Sequence, residues 1–328
     1  MSVAEVLETV LREVDAGRRA ALCAVVATRG STPQPAGAMI CVDEAARLTG
    51  TLGGGCVEAD VRRKAHAMLT AAATTSAADG RAGARGAVLT FALDNDFGYE
   101  DGMICGGEMD VAVCVWAPGD PVQPLRDAGH ALGDGRGATL TLPVVGPDGV
   151  LEYRIRVDAE PRLVIAGAGH ISRVLAGLML PLGFRVHVVD DRGDYACAKR
   201  FPPPIETVVG DIASTLEAWP ADDNTYFVIV TRGHRHDERA LGAVLRLRAR
   251  YVGMIGSRRK IAVIFDDLRR TGATDDELAR VRAPIGLDIH AITTDEIALS
   301  IAAELVAVRR AADCVTAIDV DLPPPHGR

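Results

Sequence analysis

Aromatic residues are scarce, with Phe, Trp and Tyr together making up 4% of the 328 residues. At a hydrophobic share of 48%, any core must therefore be filled by Ala, Val, Leu and Ile. Long apolar runs are also missing. The longest, "VLAGLMLPLGF", has 11 residues and contains Pro181, whereas a membrane-spanning helix needs about 20. There is no surplus of positive charge either: 36 Lys and Arg face 44 Asp and Glu, a net charge of −8. A nucleic-acid partner is thereby disfavoured, because neutralising phosphates takes clustered excess cations. The arginines of "GSRRK" and "RLRAR" read as solvated helix faces. No secretory signal is expected, since "MSVAEVLETVLREVDAGRRA" is charged throughout, and the expectation is a cytoplasmic protein. Seven cysteines, an odd number, then point to free thiols rather than a disulfide framework.

What the chain does contain is a succession of α/β patterns, and its length favours two domains. Val3, Val6, Leu7, Val10, Leu11 and Val14 recur at helical spacing, and Gly17 ends that helix. "AALCAVVAT", "AMICVD", "AVLTFAL" and "MDVAVCVWA" read as strands, and "TLGGGC" as a turn into a helix beginning "VEADVRRKAHAML". The Ala- and Gly-rich stretch 71–86 reads as a flexible connection. From residue 161 short Val- and Ile-rich strands alternate with helices, which implies a parallel sheet with right-handed crossovers. The expected organisation is an N-terminal α/β domain over 1–118, a hairpin and linker over 119–160, a C-terminal Rossmann-like parallel-sheet domain over 161–318, and a disordered tail over 319–328.

The stretch "RLVIAGAGHISRVLAGLMLPLGFRVHVVDDR" carries the first candidate site. Gly167 permits the tight strand-to-helix turn, and Gly169 lets a ligand's phosphates approach the backbone. The helix beginning near His170 offers unpaired N–H groups to anionic oxygens. Ser172 is small enough for close helix–strand packing. Asp190 or Asp191 lies where a carboxylate can hydrogen-bond a ribose hydroxyl. A bare structural turn is the competing interpretation. His170 can either hydrogen-bond a phosphate or a metal-bound oxygen, or simply face solvent.

Cysteines supply the second candidate. Cys56 follows Gly54 and Gly55 in "TLGGGCVEAD" at an expected helix start, and Cys105 precedes Gly106 and Gly107 in "GMICGGEMD". A thiolate at a helix N-terminus is stabilised by the dipole and the free N–H groups, which favours nucleophilicity and soft-metal affinity. Flanking glycines clear a path to the sulfur, and Glu58 and Glu108 stand near enough in sequence to accept protons. Neither cysteine has a Cys or His at zinc-site spacing, so a soft-metal or sulfur-handling role suits them better. The bland interpretation is a small residue in a glycine turn. Cys23, Cys41 and Cys114 fall in apolar strands and read as inert core.

Taken together, "TRGSTPQPAGAMICVD", "GTLGGGCVEADV", "MICGGEMDV", "LVIAGAGHIS", "VTRGHRHDERAL", "GMIGSRRK" and "APIGLDI" resemble the XdhC/CoxI family, the xanthine dehydrogenase accessory factors. The resemblance runs from about residue 3 to 310 in the family's two-part order. It implies a protein that binds molybdenum cofactor, as molybdopterin or its cytosine dinucleotide. It further implies protection of that cofactor during sulfuration by a cysteine desulfurase, and insertion into a molybdenum hydroxylase client. Position by position, Cys56 and Cys105 match the thiol motifs and are the implied metal-end ligands, while Gly167, Gly169 and His170 match the Rossmann turn. The chain departs from the family at His290, where "PIGLDIHAIT" replaces a usual glycine. "TRGHRHDE" follows one branch of the family, and His234 and His236 stand either at a ligand or on a solvated loop before a helix capped by Asp237.

The combined expectation is a chaperone in which sulfur from the first domain meets the metal end of a pterin and the second domain's helix tip receives its phosphate. An NAD(P)-dependent oxidoreductase using the Rossmann domain is the alternative function. A regulatory scaffold holding a nucleotide is a third. Size and two-domain organisation allow a homodimer.

Overall fold

The computed structural model describes residues 2–74, 86–93, 106–146 and 149–313. Cys105, most of the 71–86 connection and the 319–328 tail lie outside them. The chain divides into two units, Met1–Ala159 and Glu160–Val315.

In the first unit, helix α1 (Val3–Asp15) starts in a capping box between Ser2 and Glu5. It buries Val6, Leu7, Val10 and Val14, one stripe of the helix. Strands β1 (Ala20–Arg29), β2 (Met39–Asp43) and β3 (Leu48–Gly50) follow, then α2 (Gly55–Thr74), β4 (Gly86–Ala92) and β5 (Glu108–Trp116). The sheet runs β3-β2-β1-β5-β4, and neighbouring strands are antiparallel. Strand β1 shows why it must be central. Ala20, Leu22, Ala24 and Val26 enter one core with α1, while Ala21, Cys23 and Val25 enter a second core with Val57, Val61, Ala65 and Leu69 of α2. Period-two side chains that are apolar on both faces require a layer on each side.

The stretch expected as hairpin and linker does contain a hairpin, β6 (Ala138–Gly146) paired with β7 (Gly149–Val157). It also contains helix α3 (Gln123–Gly133). Leu125, Ala128 and Leu132 of α3, and Leu140, Leu142 and Ile155 of the hairpin, close the α1 face of the sheet. A frequency of Gly, Pro and Asp signals turns, but here the turns punctuate packed elements.

The second unit is a six-stranded parallel sheet flanked by helices. Its elements are β8 (Arg162–Ala166), α4 (His170–Met179), β9 (Arg185–Asp190), β10 (Glu206–Val209), α5 (Ile212–Glu217), β11 (Thr225–Ile229), α6 (His234–Val244), β12 (Tyr251–Met254), α7 (Arg258–Arg270), α8 (Asp275–Ala279), β13 (Val281–Arg282) and α9 (Thr294–Asp313). Strand order β10-β9-β8-β11-β12-β13 is that of a doubly wound dinucleotide fold, with the order reversing between β8 and β11. Leu163 and Ile165 of β8 pack with α4 and α9. Val164 and Ala166 face α5, α6 and α7. The Rossmann-like architecture expected from the sequence is therefore present. No helix among the described residues is long and apolar enough to cross a membrane.

Candidate functional site

In an open parallel sheet the crevice at the carboxyl ends of the strands, where the order reverses, is the natural ligand position. The β8–α4 turn forms one wall. Gly167 has φ 103°, and a Cβ there would lie 2.7 Å from the Val230 carbonyl oxygen, so only glycine fits. The Ser172 hydroxyl, fully buried, donates to the Gly167 carbonyl at 2.5 Å. The small third position thus also pins the turn. Gly169 caps α4 without any side-chain hydrogen bond, which leaves first-turn N–H groups open to an anion. His170 is exposed at that tip.

Asp190 behaves differently from a ribose-binding acid. It is 1% exposed. One oxygen accepts from the Ala168 amide at 2.7 Å and from Arg192 Nη2 at 2.9 Å. The other accepts from the Arg192 amide at 3.0 Å and Arg192 Nε at 2.8 Å. Burial alone would raise its pKa, but the hydrogen bonds from Arg192 and from the Ala168 and Arg192 amides outweigh that and hold it well below the ordinary carboxylate range. Position in the fold suggested a ligand acceptor, but the carboxylate is the anchor of the glycine turn. Asp191 is likewise engaged, by both terminal nitrogens of Arg232 at 2.7 and 2.8 Å.

Several residues that sequence reasoning passed over complete this wall. The Arg192 guanidinium lies 3.7 Å from the Tyr195 ring centre and that of Arg200 lies 4.7 Å from it. Arg200 Nη2 donates to the Ala168 carbonyl at 3.3 Å, so Ala168 is held through both its backbone groups. On the other wall the N-cap of α6 is Gly233, again without a side-chain bond. Asp237, expected to cap this helix, lies fully buried one turn further in. It accepts from the Thr231 amide at 3.1 Å and hydroxyl at 2.7 Å, and from the Lys260 ammonium. His234 is exposed at the α6 tip and His236 is half-buried. For Arg192 and Arg232 the sequence signal was a place just after a strand, and Arg200, well beyond the end of β9, carried none. A groove of about 380 Å³ elsewhere in this unit is lined by Gly242, Arg246, Leu268 and Thr271 and shares no residue with the crevice.

In the first unit three glycine-bearing loops converge. Gly53, Gly54 and Gly55 have φ of 98°, 74° and 68°, a succession that side chains with a Cβ resist. A Cβ on Gly53 would sit 2.4 Å from Cβ of Pro33. A Cβ on Gly107 would sit 2.2 Å from the Ser31 carbonyl oxygen, and Ser31 bridges Gly106. The glycine pair after Cys105 therefore serves a close backbone approach to the "RGSTP" loop. Cys56 is the second residue of α2 and is partly exposed. Glu58 is not free beside it: one oxygen accepts from the Thr51 hydroxyl and Leu52 amide, each at 2.8 Å, and the Gly54 amide at 3.3 Å. Glu108 pairs with Arg29 at 3.3 Å. These carboxylates brace the loops. His290 takes φ 57°, the left-handed conformation that suits the glycine expected there.

Cys23, Cys41 and Cys114 are 0%, 1% and 2% exposed. Burial pushes Cys23 well above its ordinary pKa and pushes Cys41 and Cys114 up to about 12. The reactive species is the thiolate. Among the five described cysteines, native alkylation with iodoacetamide at neutral pH is expected to label Cys56 and Cys197 and to spare the other three until the chain unfolds. Peptide mass mapping reads this, and native labelling of Cys23 would contradict the packing. No cluster of three or more His, Cys, Asp or Glu side chains able to hold a metal ion occurs among the described residues.

Residues 163–305 match the model described as the XdhC Rossmann domain, and residues 13–79 match that of the XdhC and CoxI family. The chain belongs to the XdhC and CoxI family. An Escherichia coli (strain K12) relative, uncharacterized protein YqeB, is 31% identical over 212 residues, 63% of this chain but 38% of that protein. This family member thus spans little more than a third of YqeB. A Bacillus subtilis (strain 168) protein named as a probable xanthine dehydrogenase subunit is 26% identical over 89% of this chain and 93% of its own. The molybdenum cofactor insertion chaperone PaoD of Escherichia coli (strain K12) is 22% identical over 93% and 88%. A crystal structure described as a xanthine dehydrogenase from Bacillus halodurans superposes with a TM-score of 0.76 at 22% identity, covering 95% of this chain and 96% of that one. It shares the fold.

Proposed function

We propose that this XdhC and CoxI family protein carries molybdenum cofactor as cargo, shields it while its terminal sulfido ligand is installed, and passes it to a molybdenum hydroxylase in the cytoplasm. The observation that carries this reading is the similarity to PaoD, a protein named as a molybdenum cofactor insertion chaperone, along 93% of this chain. Each unit, taken by itself, holds a group that suits part of such a cargo. A phosphate suits the uncapped α4 tip, where Gly167 and Gly169 keep side chains away and His170 stands exposed. A soft metal centre suits the partly exposed Cys56 thiol at the start of α2, behind Gly54 and Gly55. Cys105, with Gly106 and Gly107, joins this proposal through the family motif, and His234 joins it as a residue at the α6 tip. A cysteine desulfurase and a hydroxylase client are the partners the reading requires.

The test is mass spectrometry of ligand extracted from the full chain after expression in a host that makes molybdenum cofactor. Molybdopterin or its cytosine dinucleotide is expected in the wild type. Cys56→Ala is expected to reduce retention by at least about tenfold, the scale on which metal affinity responds even to altered outer-shell partners. Wild-type protein that neither carries nor binds the pterin overturns the function. Undiminished retention in the Cys56→Ala protein removes the thiol from it.

A further inference from the structure

We infer that Arg200, with Arg192 and Arg232, makes the second unit's crevice selective for a ligand bearing a phosphate monoester over one presenting an unmodified ribose diol or hydroxyl. The inference rests on that crevice being a ligand site, as in the proposed function, and adds which chemical group it selects.

A diol-binding dinucleotide site needs a carboxylate with free oxygens at the end of the second strand. Asp190 occupies that place, but its two oxygens already accept four hydrogen bonds and it is 1% exposed. Freeing it would strip the Ala168 amide and Arg192 of their acceptor and loosen the glycine turn. Asp191, the next acid, is held in a two-pronged pair by Arg232 from the β11–α6 turn. Asp190 is closed to a hydroxyl, and a hydroxyl reaches Asp191 only in competition with Arg232.

Cations dominate what remains. Arg192 and Arg232 pair with Asp190 and Asp191, and Arg200, bonded to Ala168, adds a third positive charge against two negative. Arg200 is the one without a carboxylate: it donates Nη2 to the Ala168 carbonyl, stacks over Tyr195, and its Nε is buried with no hydrogen-bond partner. A guanidinium matches the geometry and charge of a phosphate dianion, through several parallel N–H donors. The uncapped first turn of α4 begins at the next residue but one after Ala168, so its N–H groups and the Arg200 fork belong to the same turn. Arg232 follows β11, on the far side of the switch point, so cations reach the crevice from the segments after β9 and after β11.

Two ligands share this chemistry: a dinucleotide with a 2′-phosphate, and a pterin whose side chain ends in phosphate. Calorimetric titration of the full chain, freed of bound pterin, uses NADP⁺ against NAD⁺ and 6-hydroxymethylpterin phosphate against 6-hydroxymethylpterin. In at least one pair the phosphorylated member is expected to bind about tenfold tighter or more, and the pair that discriminates identifies the source. Arg200→Gln is expected to bring that ratio below about threefold. Ratios near unity in wild-type protein overturn the inference alone, and so does full discrimination in the Arg200→Gln protein. Binding of none of the four overturns it together with the phosphate end of the proposed function. If Arg200→Gln fails to fold, the wild-type ratios still decide.

Discussion

Gly167→Ala is expected to destabilise the protein by about 4 kcal/mol, a melting-temperature fall of roughly 10 °C for a unit of this size. Two costs combine. A φ of 103° is outside the range that L side chains readily adopt, worth about 1–2 kcal/mol. The added Cβ would also press on backbone, 2.7 Å from the Val230 oxygen and 3.0 Å from Cα of Thr231, and overpacking costs typically about 1–3 kcal/mol. Relief requires moving the exit of β11, which carries Thr231 and so disturbs the buried Asp237. Gly169→Ala is the control, because nothing lies within 4 Å of a Cβ there and its φ is −75°. Losing a glycine cap costs under about 1 kcal/mol. Scanning calorimetry of the full chain compares the two. Equal melting temperatures for both variants would contradict the described turn.

Asp190→Asn comes next, at about 3 kcal/mol near neutral pH. The isosteric amide presents an NH₂ where Asp190 had an oxygen, so one edge meets the Ala168 N–H or the Arg192 guanidinium donor to donor. Arg192 also loses its nearest counter-charge, though Asp191 lies 4.0 Å from its Nε and its side chain is 32% exposed, so part of that loss is recovered. The pH dependence follows from the depressed pKa of Asp190. The ionised form stabilises the fold fully above the unfolded-state value of about 3.9, and the contribution falls as pH drops below it. Between pH 7 and pH 3 the deficit of the Asn variant should therefore shrink by about 1 kcal/mol. Urea unfolding at the two pH values measures it. A deficit unchanged by pH would mean that the carboxylate is not ionised and saturated in the native state.

Much of this protein was legible from residue patterns. The strands of the second unit stood out as short Val- and Ile-rich runs, because a strand buried on both faces has no polar period to conceal it. The glycine turn and the thiol loop were legible because φ above zero and close backbone approach both demand glycine. Helix α7 was readable too, with Ile261, Ile264 and Leu268 on one stripe, yet its charged start drew attention to solvent instead. Helix α3 was masked by its flanking Gly, Pro and Asp.

By itself the sequence determined the family, the Rossmann-like second unit and the inert burial of Cys23, Cys41 and Cys114. Only the tertiary structure decided what the acids do. Asp190, Asp191, Glu58, Glu108 and Asp237 looked like acceptors awaiting ligands or protons, or like a simple cap, and each is instead held by N–H or ammonium groups of the fold. The reason is physical: a carboxylate's role depends on which donors reach its oxygens, and several of those donors come from residues distant in the chain, such as Ala168 for Asp190, Arg232 for Asp191 and Lys260 for Asp237, whose approach depends on packing.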